Sequence, residues 1–193
     1  MAPGMDDLQR LPADLPEPTD DGAADHLPGK HLPPLSLAST DGGRVDFSAL
    51  AGTTVLYCYP MTGRPDRDLP PGWDEIPGAR GCTPQACSFR DHHEELGELG
   101  ARVFGLSTQD TEYQREAAER LHLPFALLSD QDLDFARALG LPTFEVEGDV
   151  LTKRLTMIVD DGEISQVFYP VFPPNESAQR AVEWLSARNK VEE

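Results

Sequence analysis

Basic residues are scarce in this sequence: 16 lysines and arginines stand against 34 aspartates and glutamates, a formal net charge of -18 over 193 residues. Such a surface repels phosphate backbones and anionic lipid, so nucleic acid and membrane are not expected as partners. Otherwise the charge reads as solubility. Long apolar runs are missing too, and no window offers the roughly 20 apolar residues that a membrane span requires. Met1 to Arg10 lacks a basic region followed by an apolar one, so it does not read as a secretory signal. A cytoplasmic protein is expected. Cysteine is limited to three residues, an odd count that does not suit a secreted disulfide framework. In a reducing compartment a cysteine pair reads as redox or metal chemistry. There is no internal repeat. There is also no flavin or nicotinamide fingerprint, and no cofactor is expected.

What is present divides the chain in two. Residues 1–28 combine Pro3, Pro12, Pro16, Pro18 and Pro28 with seven acidic side chains and few apolar ones. Burial there does not offset the entropy of ordering, so the segment reads as a mobile acidic tail. Residues 29–193 then read as one domain. Leu35 to Leu37, the turn Asp41-Gly42-Gly43, and Val45 with Phe47 predict a short hairpin. Val55 to Tyr59 is a continuous apolar run that suits a strand covered on both faces. Residues 62–81 form a long loop, of a length more often functional than idle. Thr83-Pro84 predicts a helix start, with Ala86, Phe89, His93 and Leu96 on one stripe and Gly100 at the end. Strands follow at Val103–Leu106 and Phe125–Leu128, with helices from Thr108 or Asp110 to Leu121 and from Asp132 to Leu139. Asp160-Asp161-Gly162 predicts an antiparallel hairpin, and Asn175 a cap on the last helix. The order implies an α/β thioredoxin-like fold: a mixed central sheet with flanking helices and an N-terminal hairpin addition.

The chemistry concentrates in Gly81-Cys82-Thr83-Pro84-Gln85-Ala86-Cys87-Ser88-Phe89-Arg90-Asp91. A cysteine at a helix start meets free N–H groups and the positive end of the helix dipole, which favour a thiolate. A thiolate attacks a peroxide oxygen and becomes a sulfenic acid, which a second thiol condenses to a disulfide. Cys87 is the nearest candidate for that thiol. Five helical residues separate two Cα atoms by about 8.6 Å, whereas disulfides need less than about 7 Å. Residues 82–88 would therefore have to unwind locally, helped by Pro84. The plainer alternative is that both cysteines are ordinary residues, one of them packed in the core. Zinc wants four ligands, which C-x4-C does not supply. The histidines of Asp91-His92-His93-Glu94 diverge by about 100° on a helix. No metal site is expected, and Cys58, inside an apolar strand, reads as an inert core residue.

On these residues the chain resembles the peroxiredoxins, and within them the peroxiredoxin Q or bacterioferritin-comigratory group. The likeness runs from about Leu32 to Leu185. It is carried by Tyr57-Cys58-Tyr59-Pro60, the cysteine segment, Phe104-Gly105-Leu106-Ser107 and Arg154 to Asp160. It implies a peroxidase acting on hydrogen peroxide or organic hydroperoxides, with a thioredoxin or similar dithiol as reductant. Cys82 matches the peroxidatic cysteine, Cys87 the resolving one, Arg154 the arginine brought to the thiolate, and Pro60 the shielding proline. The group is often monomeric, so a monomer or weak homodimer is expected. One departure stands out: the family threonine belongs three residues before the peroxidatic cysteine, where this chain has Ala79. An insertion of about fifteen residues separates Pro60 from Cys82. Thr62 supplies the hydroxyl if the insertion loops out after it; Thr83 or backbone N–H groups are the alternatives. A rival reading is a redox-responsive regulatory or chaperone-like binding protein using the same cysteine pair. A protein thiol–disulfide oxidoreductase is disfavoured by the absence of C-x-x-C.

Overall fold

The computed structural model describes residues 2–192. Its centre is a seven-stranded sheet of strands β1 (Ser36–Ser39), β2 (Arg44–Asp46), β3 (Thr53–Cys58), β4 (Ala101–Ser107), β5 (Leu127–Ser129), β8 (Leu155–Asp160) and β9 (Glu163–Phe168). The strand order is β2-β1-β5-β4-β3-β8-β9. β3, β4 and β5 run parallel, while β8 pairs antiparallel with β3 and with β9. Alternation along β3 explains its unbroken apolar run. Leu56 and Cys58 enter one core with Phe47, Leu106, Phe135 and Met157. Val55, Tyr57 and Tyr59 enter the other with Phe89, Leu127, Ile158 and Leu185. A strand whose two faces are both covered needs no polar positions.

Helices α2 (Cys82–Asp91), α3 (His93–Glu98), α4 (Thr111–Arg120), α5 (Asp134–Leu139) and α6 (Ser177–Glu192) flank the sheet. Two local expectations differ from what the backbone does, and one hairpin is additional. The single helix expected from Thr83 to Gly100 breaks at His92, whose backbone leaves helical geometry at φ −100° and ψ 6°. Asn175 lies inside a short 3-10 turn, Pro174–Glu176, and α6 starts at Ser177. A second hairpin, β6 (Thr143–Val146) with β7 (Asp149–Thr152), sits apart from the main sheet and was not read from the sequence. Its turn is Glu147-Gly148, both at positive φ, and a glutamate there carries none of the usual turn signal.

The N-terminal segment, expected as a mobile tail, instead forms a strap laid over the body. It begins with a short helix α1 (Met5–Gln9). Leu8 is buried, and Ala24 and Leu27 belong to the main core. Asp21 accepts hydrogen bonds from Tyr169 (2.8 Å) and Lys153 (3.2 Å), and the His26 ring bonds the Leu139 carbonyl at 2.8 Å. Residues 29–32 then exchange backbone hydrogen bonds with Gly162 and Ile164 along the β9 edge. Mean composition hides this, because Leu8, Ala24 and Leu27 are each buried although Met5 stays exposed. The segment's prolines also lower the entropy that ordering removes.

The insertion is ordered as well. Trp73, at the start of a 3-10 turn, makes a small core with Ala79 and Leu151, flanked by Met61, Leu69, Ile76 and Phe144. It folds against the β6–β7 hairpin and returns the chain to α2.

Candidate active site

Two features of the sheet bring the site together. β3 ends at Cys58 and delivers Tyr59, Pro60 and Thr62 beyond its C-terminal edge. The antiparallel register places Leu155 opposite Cys58, so Arg154, one residue earlier, lies at the same edge. α2 starts above it. Its N-cap is Gly81 at φ 111°, ψ 18°, so neither Thr83 nor its hydroxyl caps the helix. A side chain at that φ is strained, and a Cβ there would stand 2.4 Å from Pro174 and 2.9 Å from Leu11. Glycine is thus required for steric reasons twice over. Cys82 is then the first helical residue, and the first intrahelical bond runs from Gln85 N–H to the Gly81 carbonyl at 3.0 Å.

Arg154 is the hub. It is 3% exposed, and its Nη2 donates to Cys82 Sγ at 3.2 Å. The same nitrogen donates to the carbonyls of Ala79 (3.0 Å) and Arg80 (3.3 Å), while Nε donates to that of Gly78 (3.3 Å). Nη1 bonds Gln85 Oε1. Among the described residues no carboxylate makes an ion pair with Arg154. A buried guanidinium served only by neutral acceptors still lacks an anion, and Cys82 Sγ is the group in reach. The arm Gly78–Gly81 returns to the site, clamped by that guanidinium.

Gln85 extends the hub. It lies one helical turn from Cys82 on the same side of α2. Its Nε2 donates to Ser177 Oγ at 3.2 Å, and Ser177 shares a 3.1 Å hydrogen bond with Thr156. The i, i+3 spacing was the available sequence signal for Gln85; Ser177 and Thr156 offered none, since only folding joins them.

Cys82 itself is 4% exposed, and Cys82 and Cys87 are both free thiols. Cys87, on the same unbroken helix, is half-buried, and burial pushes its thiol up, partly opposed by Arg90. The helix therefore keeps the two Cα atoms about 8.6 Å apart. Cys58 is fully buried among apolar groups, and burial drives its thiol far up. Pro60 is buried and its carbonyl accepts from Ser107 Oγ at 3.2 Å. Thr62, 3% exposed, stands on the same side. The Tyr59 hydroxyl is held well above its usual range by burial first and then by Cys82, while a hydrogen bond with the Thr62 side chain lowers it. One phenol thus touches both Thr62 and the surroundings of Cys82. The histidine pair is engaged elsewhere: His92 bonds the Ser88 carbonyl and Gln179, and His93 lies against Phe125.

This assembly can stabilise a thiolate and a developing oxyanion beside it. The Redoxin family profile matches residues 27–182. The chain belongs to the redoxins, in their peroxiredoxin Q group. It is similar to the chloroplastic peroxiredoxin Q of Gentiana triflora, 30% identical over 95% of this chain and 80% of that one. Among solved structures, peroxidoxin BcpB of Mycobacterium tuberculosis aligns with a TM-score of 0.67 at 27% identity, over 83% of this chain and 97% of that one. The bacterioferritin comigratory protein of Xanthomonas campestris, described with an alkyl peroxide reduction activity, shares the fold at a TM-score of 0.63 and 21% identity. It covers 91% of this chain and 99% of its own. As a peroxiredoxin this protein is a thiol-dependent peroxidase. The family implies a hydroperoxide substrate and a thioredoxin-type reductant.

Proposed function

We propose that Cys82 is the nucleophile of this peroxiredoxin and that Cys87 resolves it. The carrying observation is the 3.2 Å hydrogen bond from the otherwise uncompensated Arg154 guanidinium to Cys82 Sγ. The Cys82 thiolate attacks one peroxide oxygen, an S–O bond forms and the O–O bond breaks. The departing oxygen takes its electron pair and a proton, leaving as water or an alcohol, and Cys82 becomes a sulfenic acid. Arg154 supports both the thiolate and the charge on the leaving oxygen. Thr62 orients the peroxide and Pro60 walls the pocket. Cys87 thiolate then attacks the sulfenyl sulfur, expels hydroxide that leaves as water, and closes the disulfide. An external dithiol such as thioredoxin returns two electrons. Because α2 is continuous, closure requires its first turns to unwind. Alkyl hydroperoxides and hydrogen peroxide are both taken as substrates.

The same reading takes the chain as a cytoplasmic monomer or weak homodimer. Among the described residues the only exposed large apolar side chains are Met5 and Val191, which supports the monomer or weak dimer.

The test mixes reduced protein with peroxide and follows Trp73 and Trp184 fluorescence. A rapid change lost in Cys82→Ser and kept in Cys87→Ser, with turnover in a thioredoxin system, supports the proposal. No turnover favours the regulatory reading. One observation does point that way: Leu11 sits against Gly81, and Arg80 donates to the Asp7 carbonyl, so unwinding the start of α2 disturbs the strap. Faster tryptic cleavage after Arg10 in the disulfide form than in the reduced form would support such signalling.

A further inference from the structure

Resting on that assignment of the site, a second question concerns how Thr62 is held. Twenty-one residues, 61–81, lie between Pro60 and Cys82. The chain connection to α2 is therefore too long to set the threonine against the cysteine. Something else must fix it.

The hydrogen bonds on the Thr62 peptide come from the far side, from the end of β4 and the start of α4. Gln109 Oε1 accepts the Thr62 N–H at 3.0 Å, and the Tyr113 hydroxyl donates to the Thr62 carbonyl at 2.9 Å. Burial pushes the Tyr113 hydroxyl up, partly opposed by the Gln109 side chain, which lies near it. The backbone N–H and the carbonyl of Thr62 are thus both gripped by side chains. Gln109 is itself fixed along its backbone. Its N–H donates to Ser107 Oγ (3.2 Å), and its carbonyl accepts from Gln114 Nε2 (2.9 Å) and Ser129 Oγ (2.6 Å). Flanking bonds continue the pattern: Ser107 Oγ to the Pro60 carbonyl and Arg120 Nη2 to the Gly63 carbonyl. From the Tyr59 side, Gln114 Oε1 accepts the phenol at 2.7 Å. This anchors the neighbour shared by Thr62 and Cys82.

We propose that Gln109 and Tyr113 are positioning residues of the peroxidase reaction, holding the Thr62 peptide so that its hydroxyl meets the peroxide at Cys82. They stand in for the short chain link that the insertion removed. Gln109 touches neither Cys82 nor the reacting oxygens; its action passes through Thr62.

The test is a double-mutant cycle on the rate of Cys82 oxidation by hydrogen peroxide, read by stopped-flow fluorescence. Thr62→Val is expected to slow the step about tenfold, the loss of one neutral hydrogen bond in the transition state. Gln109→Ala and Tyr113→Phe should each slow it about three- to tenfold. Combined with Thr62→Val, neither should slow it further, because they act through the same hydroxyl. Iodoacetamide alkylation of Cys82 should stay at the wild-type rate in all of them, which general loosening of the site would not allow. Tyr113→Phe keeps the ring that Arg64 and Arg67 cover, at 5.5 and 5.6 Å, and so guards against a folding defect in Gln109→Ala. Wild-type oxidation rates in Gln109→Ala and Tyr113→Phe, or losses that multiply with Thr62→Val, would overturn the proposal. A wild-type rate in Thr62→Val also overturns it, yet leaves Cys82 as nucleophile. Failure of the wild-type protein to oxidise Cys82 would instead sink the assignment of the site.

Discussion

The first and second turns of α2 carry the two thiols of this peroxiredoxin in opposite surroundings. The first turn is enclosed: Arg154 reaches Cys82 from below, Pro174 and Leu11 press on Gly81, and Gln85 ties the helix to Ser177. The second turn is half open, and Cys87 has no hydrogen-bonded cation among the described residues. Both are thiols on one helix, yet burial acts differently on each. At Cys82 burial comes with a guanidinium that needs an anion. At Cys87 no guanidinium is hydrogen-bonded to the sulfur, and burial pushes the thiol up, only partly opposed by Arg90. A nucleophile for peroxide needs a stabilised charge, whereas a resolving thiol needs freedom to move. On the proposed roles, the helix offers each in a different turn.

Four perturbations bear on this contrast, ranked by their expected effect on oxidation of Cys82. Cys82→Ser should abolish peroxide-driven thiol loss, a fall of at least about a thousandfold in the stopped-flow rate. Arg154→Met should cost about 10²–10³-fold, the usual effect of removing one donor to a developing charge. Arg154→Lys should recover only part of it, since a point charge cannot serve the carbonyls and the sulfur together. Cys87→Ser should leave the oxidation rate within about threefold while eliminating the disulfide and sustained turnover. A large loss in that first step would erase the contrast between the turns.

The smallest effect lies in the strap that covers the first turn. Hydrogen bonds from Tyr169, Ala23 and Lys153 hold the Asp21 carboxyl down at about 2. A depressed carboxylate adds stability above its unfolded value of about 3.9 and loses it as pH falls through about 2. Protection factors for hydrogen exchange in residues 15–25, corrected for the intrinsic rate at each pH, should thus fall between pH 4 and pH 2 in the wild-type protein. Asp21→Asn should show the lower protection already at neutral pH, with little change in peroxide kinetics.

Much of this was legible in the sequence because it rests on local pattern. β3, the β8–β9 hairpin and the helix beginning at Cys82 follow from apolar runs, a turn tripeptide and a proline near a helix start. Arg154 came from resemblance, and its partners are carbonyls of the insertion, which no residue type advertises. The strap was misread because composition averages over a segment, whereas Leu8, Ala24 and Leu27 are placed one by one. Gln109 and Tyr113 were invisible for a related reason. Their role depends on a contact across 47 and 51 residues of chain, made to a backbone rather than to a side chain.

The most direct test of the assignment is to trap the sulfenic acid. The Cys87→Ser protein is treated with one equivalent of hydrogen peroxide and a dimedone-type reagent, and the adduct is located by peptide mass spectrometry. A single adduct on Cys82, lost in Arg154→Met under the same brief exposure, is the expected result. An adduct on Cys58, or adducts at Cys82 equal in Arg154→Met and in its parent, would contradict the pairing of Cys82 with Arg154.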